Sequence, residues 1–435
     1  MQNEFVYRAF KTTLGASAVA CWALAGPAGA QQPAQKISGP QARYWINAET
    51  SSGIAAMGAG GGGFGAAMGA LFGGAGGGPS KSLSLELGAL RTAAPASGQH
   101  SIPPTLNMGA SLPLVGPDRP AEKPNEDRDV PELRDAEGNV RMLFFWGCGE
   151  TVSAGQPVVL DTKDLRAGQL PPNMRSAWVK DNSRGPGFGA GRGAADWPNT
   201  KDSTRVPGNA SLTGDHSVAS NISPDIRFSV PAENDYLGGV TLNASASSGG
   251  GSTLSWNAVD RSLGYFATAM GMRETSPKNS DMVMWNSSGQ RMLGGQSLMG
   301  FLPPPEVSRL VGERVVMPST TTTCTIPKAV LDAAGGQMFM NSLNAFGPEL
   351  NVVQPPRPQD PRVEWKQEYS VKVRTRSHTS TFSAMAAAGG SRMTRGAAPG
   401  AAPAGDAADQ TDKPAGGVIP NLGGVGNVLK GLFGR

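Results

Sequence analysis

Two cysteines lie beyond the first thirty residues, Cys148 in the segment FFWGCGE and Cys324 far downstream. A cysteine nucleophile needs a base, and the only histidines are His100, His216 and His378, none of which lies near either cysteine along the chain. In an oxidising compartment, two such cysteines most simply form a disulfide. We therefore expect the Cys148–Cys324 disulfide and retain a catalytic Cys148 as the alternative.

Paired methionines are the second set of side chains that could do chemistry. One residue separates the two members of each pair, which places both thioethers on one face of a strand. The pairs are Met270 and Met272, Met282 and Met284, and Met338 and Met340. Soft sulfur ligands suit Cu(I), but methionine also fills irregular cores. We expect core packing, with no metal and no cofactor, and keep these six residues as candidate ligands for a copper-binding alternative.

Familiar catalytic motifs do not fit. Two residues separate Gly78 from Lys81, which breaks the phosphate-loop pattern, and Ser297 lies in a string with one residue too many for a hydrolase elbow. Asp215, His216 and Ser217 are adjacent, so neighbouring side chains in a strand would point to opposite faces. We predict no catalytic residue and place His216 in a loop.

Basic residues alternate in the segment YSVKVRTR, so that Ser370, Lys372, Arg374 and Arg376 share one face. Such a face could bind an anionic glycolipid or an acidic partner, but basic residues also protect exposed edge strands from pairing with other sheets. We expect these basic residues to lie in a protected edge strand. The tryptophans in strand-like patterns are expected in the core; they are Trp146, Trp256, Trp285 and Trp365.

The N-terminal segment predicts export. Arg8 and Lys11 precede an apolar run that ends in a small-residue pattern, so we expect a signal peptide cleaved after Ala30. Lipidation at Cys21 is the alternative. The formal net charge of the chain is only +4, which is too balanced for a nucleic-acid-binding protein.

Composition and turn residues divide the chain into seven segments. Residues 1–30 form the signal peptide, 31–116 an N-terminal β unit, 117–139 a charged and proline-rich linker, 140–221 a central β unit, 222–382 a β-sandwich domain, 383–417 a disordered tail, and 418–435 a short C-terminal helix. We expect a mainly β fold built as an antiparallel sandwich with short helical insertions and long disordered segments rich in Gly, Ala and Pro. Helices are expected from Pro304 to Val311 and from Pro327 to Ala334, each begun by proline and ended by glycine.

Two resemblances add to this interpretation. The pattern Trp256-x-x-Val259-x-x-x-x-Gly264-Tyr265 resembles the segment between strands B and C of fibronectin type III domains, which implies a sandwich used as a binding scaffold. The blocks FFWGCGETVSAGQPVVLD, GYFATAMG, DMVMW and RLVGERVVMP resemble a group of uncharacterised exported proteins of Gram-negative bacteria. That resemblance implies the periplasm or outer envelope and names no activity.

The glycine-rich segment Gly58–Gly78 has two interpretations. It is expected to be a flexible loop, but glycine at every fourth residue also fits a zipper that packs helices in a membrane or in a homo-oligomer. The C-terminal helix could likewise anchor at a membrane surface. Taken together, the sequence predicts a noncatalytic, envelope-associated binding or structural protein whose low-complexity segments mediate tethering or assembly. Its partner would be an envelope protein or glycan, and the alternative is a periplasmic enzyme acting on envelope glycans.

Overall fold

The computed structural model describes residues 35–58, 78–116, 139–163, 185–188, 192–335 and 339–383. These residues form a mainly β fold, which confirms the predicted fold class. The signal peptide with its cleavage site at Ala30, the C-terminal tail and helix, most of the linker and most of Gly58–Gly78 lie outside the described residues.

Nineteen strands are described. The first ten are β1 (Ile37–Ser38), β2 (Ala42–Gly53), β3 (Ser80–Ala89), β4 (Ser97–Ser101), β5 (Ser111–Val115), β6 (Asn139–Trp146), β7 (Val158–Asp161), β8 (Gly193–Trp197), β9 (Gly214–Ser220) and β10 (Ile226–Val230). The remaining nine are β11 (Leu242–Ala246), β12 (Ser252–Trp256), β13 (Gly264–Ser276), β14 (Asn279–Asn286), β15 (Met317–Pro318), β16 (Thr323–Ile326), β17 (Phe339–Gln354), β18 (Trp365–Lys366) and β19 (Tyr369–Ser383).

One fourteen-stranded sheet dominates the fold, in the order β10-β9-β4-β5-β8-β3-β2-β19-β17-β13-β14-β6-β7, with β15 paired to β13. Strands from the N-terminal, central and sandwich segments of the sequence therefore share one sheet. Most pairs are antiparallel as expected, but β2 pairs with β19 and β6 pairs with β14 in parallel. These parallel pairs join strands that are far apart in sequence.

The first half of this sheet rolls around its own core. Alternate residues of β2, namely Tyr44, Ile46 and Ala48, are completely buried in that core. The hydroxyl of Tyr369 in β19 donates to the carbonyl oxygen of Arg227 in β10 at 3.0 Å, although the two strands lie far apart in the strand order. The sheet must therefore curl until its end strand returns to its centre.

A second layer makes the other half sandwich-like. Strands β11, β12 and β16 form a three-stranded sheet that packs on β13, β14 and β17. Trp256 of the small sheet has its ring centroid 5.6 Å from that of Tyr265, and the Val259 N–H donates to the Tyr265 hydroxyl at 2.9 Å. These are the residues on which the fibronectin resemblance rests.

The Cys148–Cys324 disulfide is present, as the sequence predicts. Cys148 follows β6 of the large sheet, and Cys324 lies in β16 of the small sheet. The bond therefore ties the two layers together across 176 residues of sequence. Because both sulfurs are consumed in this bond, neither is a thiolate nucleophile in the oxidised protein.

Three short α-helices are described: α1 (Ile54–Gly58), α2 (Pro304–Gly312) and α3 (Lys328–Ala333). The helices α2 and α3 lie where the sequence predicts them, because proline provides a preset backbone angle at or just before the first turn. No helix in the described part of the chain is both long and apolar enough to cross a bilayer.

Three of the four tryptophans expected in the core are buried, namely Trp146, Trp256 and Trp285. Trp365 is only half-buried, so its assignment to the core is wrong. Its indole N–H donates to the Pro355 carbonyl at 2.9 Å, and the guanidinium of Arg357 lies 5.7 Å from its ring centroid. Strand β18 is two residues long and gives this ring no deep core to enter.

Candidate functional site

The alternating basic residues of β19 lie in the middle of the large sheet. Strand β19 pairs with β17 on one side and β2 on the other, so the expectation of a protected edge strand is wrong. The cations face a second alternating set on β2, with Trp45 opposite Lys372 and Asn47 opposite Arg374. The opposite face of both strands packs into the apolar core. Strands β2 and β19 therefore have one apolar face and one charged face.

Three carboxylates on or beside this charged face are already paired. Glu49 accepts from Arg376 at 2.6 Å, and Glu349 accepts from Lys372 at 2.6 Å. These pairs join neighbouring strands. In α2, Glu306 accepts from Arg309 at 2.6 Å, three residues along the helix.

Arg374 differs from these cations. It is 93% buried, with 7% of its surface exposed, and no carboxylate of the described residues lies within ion-pairing distance of it. Its Nε donates to Oδ1 of Asn47 at 2.6 Å. Its guanidinium lies between two aromatic rings, 4.4 Å from the centroid of Trp45 and 5.0 Å from that of Phe301.

A hydrogen-bond network fixes the orientation of Asn47. Because Oδ1 accepts from Arg374, Nδ2 must be the donor, and it donates to Glu86 at 2.8 Å and to Ser84 at 2.9 Å. Burial raises the pKa of Glu86, although Arg374 and Asn47 act in the opposite direction. Burial also lowers the pKa of Arg374, while the charges of Glu86 and Glu349 raise it. The guanidinium remains a cation at any physiological pH.

A groove of about 510 Å³ opens over Arg374. We call it the Arg374 groove; its lining residues are Trp45, Pro303, Pro305, Glu306, Arg309, Glu349, Lys372 and Arg374. Helix α2 forms one wall because Val307 and Leu310 are buried, which turns Glu306 and Arg309 outward. The groove combines flat apolar surfaces with a net excess of one positive charge, since three cations and two carboxylates line it.

A separate cavity of about 290 Å³ lies on the same side of the sheet, toward β13 and β14. We call it the methionine cavity, since Met270, Met284, Met299 and Met340 line it, together with Trp285, Arg376, His378 and smaller residues. Burial and Arg376 lower the pKa of His378 to about 4, against the opposing effect of Glu49. Of the six methionines singled out by the sequence, five lie on this face of the sheet. Met338 lies outside the described residues.

The other two histidines form a buried relay that the sequence analysis missed. The hydroxyl of Tyr44 lies 2.9 Å from Nδ1 of His100, whose Nε2 lies 2.9 Å from Nδ1 of His216. Nε2 of His216 lies 2.7 Å from the carbonyl oxygen of Leu212. Strand β9 contains His216, which is 3% exposed, so its assignment to a loop is wrong. Burial lowers the pKa of both histidines, and that of His100 falls well below its usual value.

The sequence contained signals for part of this arrangement. Alternation singled out Lys372, Arg374 and Arg376, but the matching alternation of Trp45, Asn47 and Glu49 was not connected to it. The parallel register between β2 and β19 brings the two sets together.

A scan against protein-family models, a search of curated proteins and a search of solved structures each returned no match.

Proposed function

We propose that the chain is an exported, noncatalytic binding protein that recognises an anionic group of an envelope glycan in the Arg374 groove. One observation carries the proposal: Arg374 is a buried cation without an ion-pair partner among the described residues, and it lines an open groove. A buried charge is costly unless an opposite charge compensates it. A bound anion would supply that compensation.

The chemistry of the site favours an anion that accepts two parallel hydrogen bonds. Arginine presents a rigid fork of N–H donors that matches carboxylate and phosphate oxygens. The Trp45 and Phe301 rings beside this fork restrict the space in which it can reorient. Asn47 occupies the Nε hydrogen, so the remaining N–H groups are the ones available to a ligand.

The rest of the groove suits a sugar-containing partner. Pro303, Pro305 and the edge of Trp45 provide apolar surface, while Lys372 and Arg309 add polar donors at the rim. Glu349 pairs with Lys372 and Glu306 with Arg309, and neither carboxylate forms an ion pair with Arg374, although Oε2 of Glu349 has no hydrogen-bond partner in the described structure. The disulfide supports an oxidising compartment, where such glycans are found.

The test is binding of the oxidised full-length protein to two envelope polymers. Co-sedimentation with peptidoglycan sacculi reports carboxylate recognition, and binding to lipopolysaccharide reports phosphate recognition. Arg374→Met should weaken binding to one of these at least tenfold, because a hydrogen bond to a charged group contributes about 1.5–3 kcal/mol. Arg374→Lys keeps the charge but loses the fork and should recover only part of the affinity.

Arg362→Gln is the matched control. It also removes one cation, but Arg362 is 82% exposed and pairs with Asp360 away from the groove. Arg309→Gln serves as a second groove variant that tolerates substitution, because that side chain is half-exposed. The proposal is wrong if neither polymer binds the intact protein, or if folded Arg374→Met binds as tightly as Arg362→Gln does.

The enzyme alternative rests on a different residue of the same face. Glu86 has a raised pKa, as a general acid requires, and lies one hydrogen-bonded side chain away from Arg374. It predicts that the protein releases soluble fragments from sacculi and that Glu86→Gln abolishes the release. Glu313→Gln, an exposed control at the residue that follows α2, should leave any such release unchanged.

A further inference from the structure

The methionine cavity contains an alignment of thioethers that the binding function does not use. Met270 in β13 lies directly opposite Met284 in β14 and directly opposite Met340 in β17. Residues opposite each other in antiparallel pairs have Cα atoms about 4.5–5.5 Å apart and side chains on the same face. Three thioethers therefore rise side by side from three hydrogen-bonded strands.

A fourth methionine comes from above the sheet. Met299 ends the short 3-10 helix Gln296–Met299, which covers this face, and it lines the same cavity. The hydroxyl of Thr268 donates to its sulfur at 3.9 Å, which positions the thioether over the row. The second lone pair of that sulfur remains available.

Exposure separates three of these four residues from ordinary core methionines, whereas Met284 is 96% buried. Met142 and Met282 occupy the next row along the sheet and are 99% buried, so packing accounts for them. Met270, Met299 and Met340 are only partly buried and border a cavity large enough for a ligand. Packing alone does not require thioethers to meet around open volume.

The donor set points to one class of ligand. Thioethers are neutral and soft, and among first-row metal ions they select Cu(I). No group of three or more His, Cys, Asp or Glu side chains in the described residues is arranged to hold a metal, so harder ions have no competing site there. Arg376 also lines the cavity, but its charge is compensated by Glu49 at 2.6 Å.

We propose that the methionine cavity binds one Cu(I) ion through the thioethers of Met270, Met284 and Met340, with Met299 as the fourth donor. The site is independent of the Arg374 groove, and no electron transfer is involved. Thioethers carry no proton, so Cu(I) binding to them releases none. Sites built from cysteine or histidine lose affinity in acid.

The experiment is a competition between the oxidised full-length protein and a chromophoric Cu(I) chelator under anaerobic conditions with ascorbate. Ag(I), which needs no reductant, provides a second probe of the same soft donors. The intact protein should withdraw one equivalent of Cu(I) from the chelator. The double variant Met270→Leu/Met340→Leu removes two donors at nearly constant volume and should weaken binding at least tenfold.

Met272→Leu is the matched control, because Met272 lies on the same strand and the same face but does not line the cavity. It should bind within twofold of the unmodified protein. NMR of methyl-labelled methionines locates the site directly: Ag(I) should shift the ε-methyl signals of Met270, Met284, Met299 and Met340. The proposal is overturned if the intact protein withdraws no Cu(I), or if the double variant and Met272→Leu bind equally well.

Discussion

His100 provides the proton in its 2.9 Å hydrogen bond to His216. The carbonyl of Leu212 can only accept, so Nε2 of His216 must carry a hydrogen and Nδ1 of its neutral ring must accept. His100 therefore donates from Nε2 and accepts the Tyr44 hydroxyl at Nδ1. One arrangement of protons satisfies the relay from end to end, and it requires both rings to be neutral.

Acid should destabilise the protein through this relay. Both histidines have lowered pKa values in the folded state, so below pH 6.5 the unfolded chain binds more protons than the folded one. The stabilisation is complete above that pH and is lost as the pH falls. Each histidine contributes a slope of up to about 1.4 kcal/mol per pH unit. Urea unfolding at pH 7.5, 6.5 and 5.5 measures the summed slope, to which His378 also contributes because its pKa is lowered as well. A flat profile would contradict the prediction.

Removing the hydroxyl of Tyr44 should destabilise the fold by about 1–3 kcal/mol, because Nδ1 of His100 would remain buried without a donor. Tyr236→Phe is the control. The Tyr236 hydroxyl is also buried but has no hydrogen-bond partner in the described structure, so its removal should be neutral or slightly stabilising. Equal losses of stability in the two variants would argue against the relay.

Loss of the disulfide should destabilise the protein without changing its architecture. In the chain-entropy model, closing a loop of 176 residues adds about 5 kcal/mol to the free energy of unfolding. This figure is an upper value for the stability that the double variant Cys148→Ala/Cys324→Ala should lose. Chemical denaturation compares the double variant with the oxidised protein, whose intact mass should be two hydrogens below that of the reduced form. Identical unfolding midpoints would show that the bond constrains little in the unfolded chain.

Asn47→Asp should weaken anion binding in the Arg374 groove. The new carboxylate would give the guanidinium the ion-pair partner it lacks, so an external anion would have to compete with it. We expect at least a tenfold loss of affinity for whichever polymer the intact protein binds. Asn257→Asp adds the same charge at an exposed position just after β12, where it keeps the hydrogen bond from the Thr241 N–H but loses those that Nδ2 donates to the carbonyls of Gly239 and Ala258. Equal affinities of the two variants would contradict the role assigned to Arg374.

Local patterns in the sequence predicted local structure well. Proline and glycine bounded α2 and α3, and the absence of a suitable base for a cysteine nucleophile favoured the Cys148–Cys324 bond. Each of these features depends on residues a few positions apart or on a unique pair.

The candidate sites were harder to predict because they depend on register between distant strands. Arg374 and Asn47 are 327 residues apart, and neither segment contains a signal that specifies the parallel pairing of β2 and β19. The row of Met270, Met284 and Met340 also depends on register between strands. Alternation predicts which face of a strand a residue occupies, but it does not predict which strand lies beside it. No segment taken by itself indicates that strands from the three β-rich segments share one sheet.

The central position of β19 sets the order in which the fold can be completed. Strand β2 is translated hundreds of residues before β19. In the finished sheet, β19 pairs with β2 along twelve residues and lies between β2 and β17. Until the last described strand arrives, two long strand edges stay open. A chain that emerges N-terminus first cannot finish its sheet until residue 383 is free, so the central pairing of β2 must wait for β19.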